Sequence, residues 1–156
     1  MSRRLSVLLA VSLIAASCVA TPSGAADAFY LCDWKIDSAV QAPWARPKVG
    51  ASEKNSLMGK TVTLKAKEIA GPQAFACKVA VYKVADYSAD MLFQGAFEEM
   101  HDSNKSVDPQ KLAERLGFTG KTYQTLETGC EIDWHFVDPT TAKIGLNDFV
   151  YTLKKQ

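Results

Sequence analysis

The stretch Lys60-Thr-Val-Thr-Leu-Lys-Ala-Lys-Glu-Ile69 has the pattern that decides the fold class. Its apolar residues Val62, Leu64 and Ala66 alternate with threonines and lysines. A period of two sends alternate side chains to opposite sides of a strand, so that one side packs on a core and the other meets water. The stretch therefore predicts an antiparallel strand at the surface of a β-rich core.

Strand-like segments continue on both sides of this stretch, separated by turn signals such as Gly71-Pro72. The predicted strands are 29–36, 60–69, 75–84, 91–97, 122–127, 130–137, 142–146 and 149–153. In the third of these, alternation predicts one shared face, which carries Phe75, Cys77, Val79 and Val81.

One helix is predicted, over about residues 109–116. Asp108 is a capping residue, Pro109 suits the first helical position, and Gly117 suits the end of a helix. Seven or eight short strands with one short helix are typical of small all-β domains. We therefore expect a mainly β fold, a seven- to eight-stranded antiparallel barrel or sandwich.

A tryptophan motif and a basic motif lie in the first and last predicted strands. They are Asp33-Trp34-Lys35 and Tyr151-Thr-Leu-Lys154. The pair resembles the lipocalin-like (calycin) small β-barrel proteins of the bacterial periplasm, in which a tryptophan at the barrel base is covered by a late basic side chain. That family has a glycine two residues before the tryptophan, where this chain has Cys32. The resemblance implies a barrel that binds a ligand or a partner.

The N-terminal residues 1–26 have the layout of a secretory signal peptide. A basic start at Arg3 and Arg4 is followed by an apolar run, then by small residues. This predicts a single β-rich domain over 27–156 in the periplasm or outside the cell. An alternative is a structural envelope lipoprotein anchored through Cys18, which would make the protein membrane-bound.

The mature chain would carry nearly balanced charge. Once Arg3 and Arg4 leave with the signal peptide, the remaining lysines and arginines are outnumbered by the Asp and Glu residues by one. A balanced surface lacks the basic footprint that nucleic acid or an anionic membrane attracts. We therefore expect neither as a partner.

Three cysteines remain after cleavage, namely Cys32, Cys77 and Cys130. A secreted chain meets an oxidising compartment, so one disulfide is expected with one thiol left over. The bridge Cys77–Cys130 is favoured because both residues fall in strand-like segments, while a bridge from Cys32 stays open as an alternative. No Cys-x-x-Cys spacing occurs, which argues against a zinc knuckle.

The segment 127–139 concentrates the chemically active side chains. On a strand its apolar residues Ile132, Trp134 and Phe136 would face the core, and Asp133 and His135 would share the other face. An aspartate beside a histidine suits base catalysis or metal binding, but that chemistry needs a third group. The alternative interpretation, which we favour for this chain, is a solvent-exposed charged face.

Two further groups of residues are candidates for binding. Trp44 lies in a proline-rich loop, 42–48, and could form the lip of a binding site or cap an open barrel end. Residues 98–102 place carboxylates beside His101, which suits a weak metal site or simply a charged loop before the helix. We expect no metal and no cofactor.

Taken together, the sequence favours a non-enzymatic periplasmic or secreted binding protein. Its partner would be a small apolar ligand or a secreted protein. If that protein is a hydrolase, the chain would be its inhibitor. The binding residues would be Trp44, Asp133 and His135. The alternative is a small hydrolase or metal-dependent enzyme that uses Asp133 and His135.

Overall fold

The computed structural model describes residues 28–45 and 56–156 of the chain. The predicted signal peptide, with Cys18 in it, lies outside the described residues. The loop predicted over 42–48 is described only as far as Ala45.

Eight antiparallel strands form one sheet that curls into a half-barrel, so the predicted mainly β fold is confirmed. The strands are β1 (Asp33–Gln41), β2 (Thr61–Lys65), β3 (Glu68–Ala70), β4 (Lys83–Tyr87), β5 (Tyr123–Glu127), β6 (Trp134–Asp138), β7 (Thr141–Leu146) and β8 (Phe149–Lys155). Their order across the sheet is β3-β2-β1-β8-β7-β6-β5-β4, which leaves β3 and β4 at the two edges.

The alternating stretch 60–69 forms a hairpin rather than one strand. Leu64 lies opposite Ile69 and Lys65 opposite Glu68, with a two-residue turn between β2 and β3. The side chains of Val62 and Leu64 are buried, as the alternation predicts. The prediction missed the turn because its residues, Ala and Lys, carry none of the usual turn chemistry.

The inner face of the sheet, which we define as the face that carries Trp34 and Trp134, is filled by its own side chains. The two indole rings meet edge to face with centroids 5.7 Å apart, and both are buried. Phe136 lies 5.7 Å from Trp34, and Tyr151 is buried in the same cluster. These rings occupy the interior that a hollow barrel would offer to a ligand.

Two helices pack on the opposite, outer face, where they contact β5 and β8 through a second apolar cluster. They are α1 (Leu92–Ser103) and α2 (Pro109–Arg115), and both lie between β4 and β5 in the chain. The predicted helix over about 109–116 is confirmed as α2. Its cap is also as predicted, because the Asp108 carboxylate accepts the N–H groups of Gln110 and Lys111 at 2.9 and 3.4 Å.

The prediction of a strand over 91–97 is wrong, because this segment begins α1. Its apolar residues recur at the helical spacing once Met100 is included, at positions 92, 93, 96, 97 and 100. Leu92, Phe93 and Phe97 are buried against the outer face of the sheet. The helical spacing becomes clear only when the residues beyond Phe97 are included.

The prediction of a strand over 75–84 is also wrong. Only Cys77 forms a β-bridge, to Ile69, and the next strand begins at Lys83. Residues 71–82 instead connect β3 to β4, the two edge strands of the sheet. The connection is held by backbone hydrogen bonds on both sides, from Ala80 N–H to the Lys67 carbonyl at 2.9 Å and from Val81 N–H to the Thr128 carbonyl at 2.8 Å.

A disulfide joins Cys77 to Cys130, as predicted, and so ties this connection to the segment between β5 and β6. Cys32 is a free thiol, half-buried beside the carbonyl groups of Phe29 and Tyr30. Burial raises the pKa of the Cys32 thiol, an effect that the nearby Lys155 ammonium partly offsets. The bridge from Cys32 that the sequence left open does not form.

Within residues 28–45 and 56–156, neither helix has the length and apolar character needed to cross a membrane.

Removing the bridge by the double substitution Cys77→Ala/Cys130→Ala is expected to lower the free energy of unfolding by about 4 kcal/mol. The cysteines are 53 residues apart, and a loop of that length restricts the unfolded chain by about this amount in the chain-entropy model. Urea unfolding followed by far-UV circular dichroism measures the loss, with Cys32→Ala as the control. A loss no larger than that of the control would contradict the prediction.

Candidate functional site

His135 lies on the outer face of β6 and is fully buried. The Phe93 ring of α1 meets it edge-on with centroids 4.9 Å apart, and Tyr87 of β4 lies 6.1 Å away. The expectation of a solvent-exposed face is therefore wrong for His135. The reason is α1, which covers this part of the sheet where the sequence predicted another strand.

Both ring nitrogens of His135 are engaged by this chain. The Phe93 backbone N–H donates to Nε2 at 2.9 Å, and Nδ1 lies 2.9 Å from the Thr125 hydroxyl. Because a backbone N–H can only donate, Nε2 is the acceptor and the proton resides on Nδ1, which donates to Thr125. Burial lowers the pKa of His135 to about 3, so the ring is neutral.

The segment above His135 has a rare backbone conformation. Phe93, Gln94 and Gly95 have φ of 55°, 57° and 79°, so three consecutive residues are left-handed at the start of α1. This region costs a non-glycine residue roughly 1–2 kcal/mol. The hydrogen bond to His135 and the burial of the Phe93 ring offset that cost and fix the turn on the sheet.

Asp133 lies two residues before His135 but in a different environment. Partial burial raises the pKa of the Asp133 carboxyl, whereas a hydrogen bond from the Thr128 N–H opposes the rise. Glu127 lies close by and receives hydrogen bonds from the Tyr87 hydroxyl at 3.2 Å and the Lys83 ammonium at 3.1 Å. Burial and the two neighbouring carboxylates raise the pKa of Tyr87 to about 12.

These contacts argue against acid–base or metal chemistry at Asp133 and His135. A general base needs a free lone pair that faces the substrate, and the His135 acceptor is already taken by Phe93. Within the described ranges, no three His, Cys, Asp or Glu side chains come together as metal ligands. Nothing in this part of the chain indicates an enzyme.

His101 does not join this site. The predicted loop 98–102 is part of α1, and the Nδ1 atom of His101 lies 2.7 Å from the Val107 carbonyl in the connection to α2. Its neighbour Asp102 forms a surface ion pair with Lys105. His101 and Asp102 therefore make contacts with the connection between the two helices.

Trp44 is half-buried and packs over the start of α1. Its ring lies 5.2 Å from Phe93 and 6.1 Å from Phe97, and its indole N–H donates to the Asn147 carbonyl at 2.8 Å. Directly beneath it is Gly145 of β7, which lets the rings of Trp44 and Phe93 approach the sheet. Trp44 thus packs at one end of the second apolar cluster, on the outer face of the sheet.

Among residues 28–45 and 56–156, the most exposed large apolar side chains lie elsewhere, in residues 77–81, which we call the valine loop. Val79 is 75% exposed and Val81 is 68% exposed, whereas Ala80 between them is buried. The sequence predicts both valines on one strand face with Phe75 and Cys77, and that prediction is wrong. The run Lys-Val-Ala-Val next to a cysteine has the pattern of a strand. It differs from a strand only because tertiary contacts hold the backbone at both of its ends.

Gly129 brings the valine loop and the β5–β6 segment together. A Cβ atom at this position would lie 3.3 Å from both the Cβ and the carbonyl oxygen of Val81, and φ is +67°. A small cleft of about 360 Å³ adjoins the loop and is lined by residues that include Phe75, Cys77 and Trp134.

A larger, open groove of about 730 Å³ lies beside α2. Its floor is apolar, with Met100, Val107 and Leu112. Its rim carries charges of both signs, from Asp108, Lys111, Glu114 and Arg115. The mixed rim gives no preference for an anionic or a cationic ligand.

Comparison with known proteins gives no family for this chain. No family model, no curated protein and no solved structure matches it. The resemblance to lipocalin-like proteins stays a prediction.

The substitution His135→Gln is expected to remove part of the acid sensitivity of the fold. The pKa of His135 is about 3 in the folded chain and about 6.5 when unfolded, so unfolding takes up a proton below pH 6.5. The wild type should lose about 2 kcal/mol between pH 7.5 and pH 5 through this group. Glutamine keeps an acceptor for Phe93 but does not titrate. Urea unfolding at both pH values measures the difference, and His101→Gln is the matched control. Equal pH slopes for His135→Gln and the wild type would refute the assignment.

The substitution Gly145→Ala is expected to destabilise the packing of Trp44. Its Cβ would lie 3.1 Å from Trp44 Cζ2 and from Phe93 Cδ1, so both rings must move. Overpacking of this kind costs about 1–3 kcal/mol. A double-mutant cycle with Trp44→Ala, followed by urea unfolding, isolates the contact. Gly145→Ala should lower the free energy of unfolding less in the Trp44→Ala variant than in the wild type. An equal loss in both proteins would rule out the contact with Trp44 as the cause.

Proposed function

We propose that this protein is a non-enzymatic binding protein of an oxidising compartment outside the cytoplasm, and that its ligand is another protein. The observation that supports this most directly is the exposure of Val79 and Val81 on a backbone that is held at both ends. Exposed apolar side chains that form a patch mark interaction sites on soluble proteins.

The compartment is supported by the disulfide. Bridges such as Cys77–Cys130 persist where thiols are not kept reduced, which agrees with the predicted secretory signal peptide. These two observations together support a periplasmic or secreted localisation. Anchoring through Cys18 remains a separate prediction about the same leader.

A protein partner fits the structure better than a small apolar ligand held inside the sheet. The interior carries Trp34, Trp134 and Tyr151, all buried, where a lipocalin-like barrel would need open space. The enzyme alternative loses His135 as its base, because Phe93 occupies the acceptor nitrogen of this ring. Held loops also bind proteins well, because little conformational entropy remains to be lost on association.

Site-specific photo-crosslinking tests the proposal. A photoreactive residue at position 79, in cells that secrete the full chain, should give one discrete protein adduct, whereas the same residue at Val40 should not. Val40 is the matched control because it is also an exposed valine, 49% accessible, in β1. The partner, identified by mass spectrometry and purified, should bind Val79→Ser/Val81→Ser at least tenfold more weakly than Val40→Ser. No adduct at position 79, or equal binding of both variants, would overturn the proposal.

A further inference from the structure

We propose that the valine loop is a substrate-like inhibitory loop, and that its partner is a serine protease that cleaves after lysine. The inference rests on the proposed function and names the class of its partner. The residue that enters the specificity pocket is Lys78, and the bond presented to the protease is Lys78–Val79.

The backbone on each side of this bond is fixed. Before it, Cys77 exchanges two hydrogen bonds with Ile69, at 2.8 and 2.9 Å, and is bonded covalently to Cys130. After it, Ala80 is buried, and its N–H donates to the Lys67 carbonyl. Only Lys78 and Val79 form the bend between these two anchors. Such a loop is preorganised and loses little freedom when it enters a cleft.

The side chains of the loop are matched to a protease of this specificity. Lys78 is exposed and has no hydrogen bond or ion pair with the described part of the chain, so its ammonium group is available. A protease that cleaves after lysine has an aspartate at the base of its specificity pocket. The exposed Val79 and Val81 supply apolar contacts on the leaving-group side of the bond.

The anchors also explain why the loop would inhibit rather than be consumed. In acylation, the protease serine oxygen forms an ester with the Lys78 carbonyl carbon as the Lys78–Val79 C–N bond breaks, and the proton passes through the catalytic histidine to the Val79 nitrogen. The Val79 amine is followed directly by the buried Ala80, so it stays beside the ester. Its attack on the ester re-forms the peptide bond and returns the proton and the free serine.

The held geometry requires Gly129, which allows the β5–β6 segment to touch the Val81 backbone. The disulfide and this contact together prevent the loop from opening outward. A flexible loop of the same sequence would be a substrate, because its new ends would separate after cleavage and water would hydrolyse the ester.

Inhibition of trypsin by the purified, oxidised full chain tests the inference. We expect tight inhibition of trypsin and at least 100-fold weaker inhibition of chymotrypsin, which prefers apolar residues. Lys78→Arg should retain inhibition, and Lys78→Ala should weaken it at least 100-fold. Lys83→Ala is the matched control, because Lys83 is an exposed lysine five residues further along the chain, and it should inhibit like the wild type.

Two results of the inhibition assay would overturn the inference. One is rapid cleavage after Lys78 without inhibition, and the other is inhibition that Lys78→Ala does not change. A protein adduct at position 79 that is not a protease would overturn this inference while leaving the proposed binding function intact. Absence of any adduct at that position would overturn both.

Discussion

The connection between the two edges of the sheet is the constraint on which the rest of the structure depends. An open half-barrel exposes unpaired backbone groups at both edges, which invites aggregation. Residues 71–82 cross this gap. Cys77 pairs with Ile69 on the β3 edge, and the Val81 N–H donates to the Thr128 carbonyl just after β5. The Cys77–Cys130 bridge then makes the crossing permanent. The rings inside the sheet can pack as one core because its ends are held together.

The sequence predicts those parts of the fold whose local pattern and tertiary role agree. Alternation identified most strands, and the cap at Asp108 identified α2. The Cys77–Cys130 bridge was also predicted correctly, but from strands that the structure does not have at either cysteine. Local pattern failed where tertiary contacts decide. The three left-handed residues from Phe93 to Gly95 are stable only because His135 and the second apolar cluster hold them. Single-sequence reasoning has no signal for such a turn.

The candidate site shows the same division. The alternating pattern correctly predicts that Trp134 and Phe136 face the opposite side of the sheet from His135. It does not indicate what covers the face that carries His135. If this face met solvent, the His135 ring would be free to act as a base. Because α1 covers it, the ring is neutral and accepts the Phe93 N–H. The exposed valines were misplaced for the opposite reason. Their alternation is genuine, but the buried residue between them is the small Ala80, so the larger side chains point outward.

The placement of Cys32 has a consequence for how the chain matures. A spare thiol in an oxidising compartment can attack a finished disulfide and scramble the pairing, and the attacking species is the thiolate. Partial burial raises the pKa of Cys32 and so keeps it protonated, with its sulfur against the Phe29 and Tyr30 carbonyls. The packing of Cys32 just before β1 therefore also protects the correct pairing of Cys77 with Cys130.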